Sequence, residues 1–388
     1  MERGQVVIIG GGVIGSAIAY FLAVHPQFAG KITVLERDPT YAQASSALSA
    51  SSIRQQFSTP VNIAISQYGF EFLRHIDRYL AVDGQAPDIG LVERAYLYLA
   101  SAAGVADLRA NHTMQTAHGV QTALLDPDGL RQRFPWLTTD DLALGSLGLQ
   151  GEGWFDGYGL LMAFRQKARS LGVQYLQAEA QGLVHDGQRV SAVRLGDGRQ
   201  IACDWAVNAA GAWARHVMQD TGFELPVYGR RRCVFVVSSP AQTPDCPLVI
   251  DPSGLWFRPE GAYWLCGLPP AQDDNDVPLE VDYAQFEQAW EILASRVSGF
   301  EALRMQRAWA GYYEYNEFDQ NAILGPHPVL ANLLLANGFS GHGLQQSPAV
   351  GRGIAEWLVE GQSHSLDLSA LSAQRIRNNQ PLLERNII

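Results

Sequence analysis

Near the N-terminus the apolar residues come in a block rather than in alternation. The stretch "VVIIGGGVIGSAIAYFLA" is a short apolar run, a glycine turn, and then helical spacing through Ile18, Phe21 and Leu22. A second apolar run, "KITVLE", ends at Glu36. The reading is strand, turn, helix, strand. Further along, the pattern predicts a helix over 160–171 closed by Gly172. Hairpin-like strands follow, with Asp186-Gly187 and Asp197-Gly198 as turns, and an apolar strand runs into "VNAAGAW". Residues 226–270 read as strands, and "YAQFEQAWEILASRV" as an amphipathic helix whose face of Phe286, Ala289, Trp290 and Leu293 belongs to a core. The last apolar run, "LANLLLA", leads through the glycine-rich "NGFSGHGLQQSP" into a helix expected to start at Pro348.

These elements predict an α/β fold in two domains, since 388 residues exceed the size at which one core stops growing. Residues 1–84, 151–225 and 309–388 form a Rossmann-like domain in three pieces. Residues 85–150 and 226–308, which lack a βαβ pattern, form an α+β second domain with a mixed or antiparallel sheet over it.

Charge narrows the chemistry. A net charge of −11 argues against nucleic acid as a partner, because that surface demands clustered Lys and Arg. The basic run Arg230, Arg231, Arg232 reads as a solvated strand edge or a junction between domains, and "AQDDNDVPLEVD" as an acidic surface loop. Cys203, Cys233, Cys246 and Cys266 are scattered without metal-ligand spacing, so reduced thiols and no metal are expected. No run is long enough to span a bilayer and the N-terminus shows no targeting segment, so the expected location is cytoplasmic.

The first turn carries the most specific local chemistry. In Gly10-x-Gly12-x-x-Gly15, Gly10 makes the tight turn, Gly12 admits a pyrophosphate, and Gly15 lets helix and strand pack closely. The helix N-terminus offers free N–H groups to phosphate, and Glu36 is spaced to accept from a ribose diol. This motif alone does not separate FAD from NAD. Beyond it, Ser45, Ser46, Ser49, Ser51 and Ser52 crowd ahead of Arg54. They read either as a polar surface loop or as a loop wrapped around a polar cofactor. Gly338, Gly341 and Gly343 imply that something approaches the backbone closely.

The order of these pieces resembles the D-amino-acid oxidase/sarcosine oxidase (DAO) family of FAD-dependent oxidoreductases. Within that family the resemblance is to the FAD-dependent oxidoreductase domain-containing protein 1 subgroup, whose mitochondrial members are associated with respiratory complex I assembly. It rests on "SSIRQQFSTP", "EGWFDGYGLL", "LWFRPEGAYWLCG", "AWAGYYEYNEFDQNAILGPHP" and "GFSGHGLQQSPAVGRGIAEWL". It implies that Gly10, Gly12, Gly15 and Glu36 hold the ADP half of FAD, with Val13, Ile14 and Arg37 beside them. Ser45, Ser46, Ser51 and Ser52 would follow the cofactor toward its ring, and Val184 would lie against the adenine. Ala209, Ala210, Gly211 and Trp213 would pass near the dinucleotide. Gly341, His342, Gly343, Leu344 and Gln345 would line the ring itself.

The resemblance also makes Arg54 the anchor of a substrate carboxylate. Tyr312 or Tyr313 is expected beside it, each otherwise a core tyrosine with a satisfied hydroxyl, and His342 either adds charge or is fixed by backbone hydrogen bonds. Three departures follow from it. Gly311 stands where covalent flavoproteins of the family have cysteine, which implies non-covalent FAD. Leu265 or Cys266 falls where several oxidases carry an oxygen-activating lysine, which implies a dehydrogenase. Gln345 replaces a second cation at the carboxylate site. The implied activity is oxidation of the C–N bond of a small secondary or N-methyl amino acid, sarcosine or dimethylglycine in type, by hydride transfer to FAD. Its electron acceptor, whether oxygen, quinone or an electron-transfer flavoprotein, stays open. Alternatives from the same resemblance are a flavin-bearing assembly protein with little turnover and a D-amino-acid oxidase.

Overall fold

A computed structural model gives the fold and describes residues 4–384. Its first sheet has six strands in the order Ile323–Pro326, Leu333–Asn337, Trp205–Asn208, Gln5–Ile9, Lys31–Glu36 and Gln174–Gln177. All neighbours are parallel except the first pair. The unbroken apolar run at the N-terminus follows from this placement. Val6 and Ile8 face a core shared with helices Val13–Ala23, Gly157–Ser170 and Gly343–Glu360, while Val7 and Ile9 face a core shared with a three-stranded antiparallel sheet. A central parallel strand buried on both faces has no polar side to alternate with.

The second sheet has eight strands, ordered Arg304–Asn316, Val227–Ser238, Tyr263–Gly267, Trp256–Glu260, Leu248–Ile250, Tyr96–Ala100, Leu144–Gly148 and Thr122–Leu125. It is antiparallel except where Leu248–Ile250 meets Tyr96–Ala100. The helix Tyr283–Arg296 covers one face, burying Ala289 and Leu293 against Phe257 and Phe235. Trp290, expected in that core, is 41% exposed and instead donates its ring N–H to the Phe300 carbonyl. The strand Arg304–Asn316 runs across the boundary drawn at 308/309 and pairs along its whole length inside the second sheet.

Two local features position the site. The last long helix begins at Gly343, and Pro348 lies inside it rather than at its start. Proline cannot bond the Leu344 carbonyl, but the Ser347 hydroxyl donates to that oxygen at 2.8 Å, so the helix continues through it. Gly351 brings this helix against the first one, since a Cβ there would sit 2.8 Å from Ala17. The two helices that head the glycine turn and the "GFSGHG" loop are thereby held side by side.

The basic run lies on an interior strand and is paired. Arg232 forms a bidentate bridge to Asp273 at 2.6 and 2.9 Å, and Arg230 reaches Asp273 and Glu317. Burial pulls the Asp273 carboxyl up, but Arg232 and Arg230 outweigh it and leave it below its ordinary value. The acidic loop is thus strapped over the second sheet, with Leu268 and Pro269 at its root lining the cleft described next.

Candidate functional site

A bent cleft runs from the C-terminal ends of the first sheet's strands to the inner face of the second sheet. Its nucleotide end has a volume of ≈ 470 Å³ and is lined by Gly10, Gly12, Val13, Ile14, Glu36, Arg37, Ser45, Ser46, Ala209, Ala210, Gly211 and Trp213. Its ring end, ≈ 90 Å³, shares Val13, Ile14, Ser45 and Ser46 and adds Gly311, Tyr313, Gly341, Gly343 and Leu344. A side pocket of ≈ 60 Å³ opens from the ring end and holds Ser51, Ser52, Arg54, His342 and Gln345, with Tyr96, Trp256 and Tyr313.

The glycines behave as their spacing predicts. Gly10 has φ +98°, and a Cβ on it would overlap the Ala209 carbonyl oxygen. A Cβ on Gly15 would overlap the Gly10 carbonyl oxygen, so Gly15 lies behind the cleft and packs helix on turn. Gly12 faces open cleft, its nearest neighbour being Ser46 Oγ at 3.4 Å from an added Cβ. At the helix start the Val13 N–H donates to Ser46 Oγ at 3.1 Å, one of the donors a helix N-terminus leaves without an intrahelical partner. Glu36 accepts from the Gly11 and Asp38 N–H groups at 2.9 and 2.8 Å, and burial raises its carboxyl above the usual range. Arg37 lies 3.6 Å over the Trp213 ring, closing the outer wall.

Val184 does not line the cleft. The strand Ala180–His185 enters it through Ala180 and Gln181, and Val184 lies further along, opposite Ala192.

Arg54 is 1% exposed. Its guanidinium donates to the Tyr98 hydroxyl and to His342 Nε2, the latter at 2.9 Å. Because an arginine can only donate, His342 Nε2 must be unprotonated. Burial, with the Arg54 charge adding to it, drives the His342 pKa well below its ordinary value. Of the two roles expected for His342, added charge is therefore excluded and fixation by hydrogen bonds stands. The Gln345 side-chain oxygen is committed to the frame of the pocket: it accepts from the Arg54 backbone N–H at 2.8 Å and from Ser66 Oγ at 3.2 Å. Behind the pocket, Glu152 accepts the Gln55 and Gln56 N–H groups at 2.7 and 3.1 Å, clamping the backbone that follows Arg54. Burial raises its carboxyl to about 7 against the effect of those bonds.

Tyr312 and Tyr313 separate cleanly. Tyr312 donates to the Val277 carbonyl at 2.6 Å and lies edge-on to Trp213, which commits it to structure. Tyr313 faces the ring end and the side pocket, where a Cβ on Gly341 would strike its ring. Ser51 and Ser340 line the same pocket in left-handed backbone, at φ 54° and 51°, a strain that folds tolerate mostly at functional sites.

Leu265 and Cys266 lie in the strand Tyr263–Gly267 and line neither the ring end nor the side pocket. The chain's two lysines, Lys31 and Lys167, are also elsewhere, on the first sheet's outer end and bonded to the Ala81 carbonyl respectively. Sequence reasoning missed Tyr96, Tyr98, Trp256, Glu152 and Glu314. Glu314 left a signal, a single acid among three tyrosines on a strand, but nothing in that pattern points it into a cleft.

A sequence model of the FAD-dependent oxidoreductase (DAO) family matches residues 5–357. The chain belongs to that family. It is 43% identical to FAD-dependent oxidoreductase domain-containing protein 1 of Xenopus laevis, over 100% of this chain and 85% of that protein. It is 25% identical to the mitochondrial dimethylglycine dehydrogenase of Rattus norvegicus, over 96% of this chain and 45% of that protein. In fold it is similar to L-proline dehydrogenase from P. horikoshii, with a TM-score of 0.85 at 23% identity, covering 98% and 99% of the two chains. The DAO-family cofactor fits the cleft: side-chain-free glycines face its nucleotide end, a helix N-terminus opens into it, and its far end is walled by aromatic residues and bare backbone. Among the described residues, no helix is long and apolar enough to cross a membrane.

Proposed function

We propose that this DAO-family oxidoreductase is a dehydrogenase of a small secondary or N-methyl amino acid, with FAD held non-covalently. The observation that carries the reading is the side pocket: a fully buried arginine, pinned by a tyrosine, a neutral histidine and its own backbone clamp, at the edge of the ring end. The similarity to dimethylglycine dehydrogenase supports the substrate class. Bound FAD supplies the two-electron acceptor for the C–H bond beside nitrogen, leaving an imine that water hydrolyses.

The chain's own residues orient and exclude. Gly10, Gly12, Glu36, Ser45 and Ser46 would hold the nucleotide, and the Gly341–Gly343 loop the ring. Arg54 would draw the carboxylate, its fork already set by Tyr98 and His342. His342 adds no second charge and Gln345 adds none, so the site is built for one negative group. The volume of ≈ 60 Å³ holds roughly four to six water-sized positions, which selects a short amino acid. With no lysine in the cleft, reaction with oxygen is expected to be slow.

Two measurements test this. Anaerobic addition of sarcosine, dimethylglycine, proline and a set of D-amino acids should bleach the flavin band with the first group. Bleaching by D-amino acids alone would make the protein a D-amino-acid oxidase, and bleaching by nothing would leave a flavin-bearing scaffold. Gly311 offers no thiol, so acid precipitation should leave the yellow colour in the supernatant. Colour that stays with the pellet would mean a covalent link elsewhere.

A further inference from the structure

Glu314 sits where the two halves of the cleft meet, together with Val13, Ile14, Ser45 and Ser46. It lines both the nucleotide end and the ring end. One carboxyl oxygen accepts the Gly338 N–H at 3.2 Å, and the other points toward Gly343, 3.7 Å from where a Cβ on that glycine would sit. Among the described residues, no arginine or lysine bonds to it. A dinucleotide with its ADP at one end of this cleft and its ring at the other must pass its linker through this junction. That linker, ribityl hydroxyls and two phosphates, is rich in acceptors and carries negative charge. An ionised carboxylate is acceptor-only and would repel it, whereas a protonated one has an O–H to give.

We propose that Glu314 is a cofactor-binding residue that carries a proton in the FAD-bound protein and donates it as a hydrogen bond to the ribityl–pyrophosphate linker, so that FAD binding is coupled to proton uptake. The inference rests on family membership for its cofactor and is independent of the substrate.

The charged and titratable groups around Glu314 are otherwise engaged. On the neighbouring strand, Arg230 and Arg232 are bridged to Asp273, and Arg231 reaches Asp282. Cys233 accepts the Asp282 N–H. On its own strand Tyr312 donates to Val277, and Tyr313 turns to the side pocket. From the loop before Gly343, His342 faces Arg54. Across the nucleotide end, Glu36 accepts backbone N–H groups and Arg37 covers Trp213, with Asp38, Arg194 and His216 further along that wall. Burial therefore acts on Glu314 almost unopposed and raises it to about 8, only the Gly338 bond working the other way.

The linkage has a definite sign. Below pH 8 the carboxyl is already protonated and FAD affinity should not change with pH. Above it, binding must first take up a proton, so affinity falls by up to tenfold per pH unit. The dissociation constant, read from quenching of FAD fluorescence by apoprotein, should be about thirtyfold larger at pH 9.5 than at pH 6.5. E314Q, which keeps shape and a donor, should bind FAD within a few fold of wild type at pH 6.5 and lose this slope. Calorimetry of wild type at pH 8.5 in two buffers of different ionisation enthalpy should show uptake of roughly 0.8 proton per FAD, a readout that does not depend on how the variant folds. Tight binding with no slope and no proton uptake overturns the role of Glu314 alone. So does a slope that survives in E314Q, or a tenfold or greater loss at pH 6.5 in a folded E314Q. Failure of wild type to bind FAD at any pH would overturn the cofactor assignment with it.

Discussion

Arg54→Met is expected to lower kcat/KM by two to three orders of magnitude while FAD stays bound. Losing one partner of a buried, charge-paired contact costs about 2–5 kcal/mol, which is roughly thirtyfold to several-thousandfold in a transition-state contact. The cofactor should survive because the backbone of Arg54 is held independently of its side chain. Gln345 takes its N–H, Ser66 donates to its carbonyl, and Glu152 clamps the next two residues. Methionine fills much of the same volume, but it leaves His342 Nε2 and the Tyr98 hydroxyl without the arginine. The variant should therefore also be less stable, by about 1–3 kcal/mol. Arg54→Lys should recover part of kcat/KM, because it restores charge without the planar fork. Steady-state rates with the best amine of the panel, beside the ratio of flavin to protein absorbance, decide the matter. Loss of FAD with retained rate per bound flavin would move Arg54 from the substrate to the cofactor.

The second large effect separates two glycines of one motif. Gly15→Ala should damage the fold itself, because its Cβ would overlap the Gly10 carbonyl, a backbone atom that cannot swing aside. Overpacking of this kind costs about 1–3 kcal/mol or more, which lowers the melting temperature by several degrees with or without FAD. Gly12→Ala should leave the apoprotein's melting temperature nearly unchanged, since its Cβ meets only Ser46 Oγ at 3.4 Å. It should weaken FAD at least about tenfold, a loss of about 1.4 kcal/mol, by standing where the cofactor approaches the backbone. Thermal melts of apoprotein and FAD titrations of both variants test the contrast. A Gly12→Ala protein that binds FAD like wild type would show that the close approach lies elsewhere in the turn.

How far the site was legible follows from how local each feature is. The glycine turn, the flanking strands and Glu36 could be read because their chemistry is set by neighbours in sequence. The helix start after "GFSGHG" was misplaced because proline usually opens a helix, and only the structure places Ser347 so that its hydroxyl bonds the carbonyl that Pro348 leaves. Trp290 was misread for a related reason. Periodicity places it on the apolar face, but the buried stripe of the helix runs through Gln285, Ala289, Leu293 and Arg296, and Trp290 is left 41% exposed. The arginine run reads as a solvated strand edge or a junction between domains, and only the fold brings Asp273, forty-one residues downstream of Arg232, into a bridge with it.

The chain's one-dimensional pattern determined the nucleotide-binding half: short apolar runs, glycines at fixed offsets and an acid at a strand end act over a few residues and survive without tertiary context. Tertiary structure decided the other half. Arg54 meets Gln345 across 291 positions and His342 across 288, so what each can do depends on contacts no local pattern records. Protonation is decided there as well. His342 is kept neutral and Glu314 protonated to higher pH because burial withdraws water from them, and burial exists only once the two sheets have closed on each other.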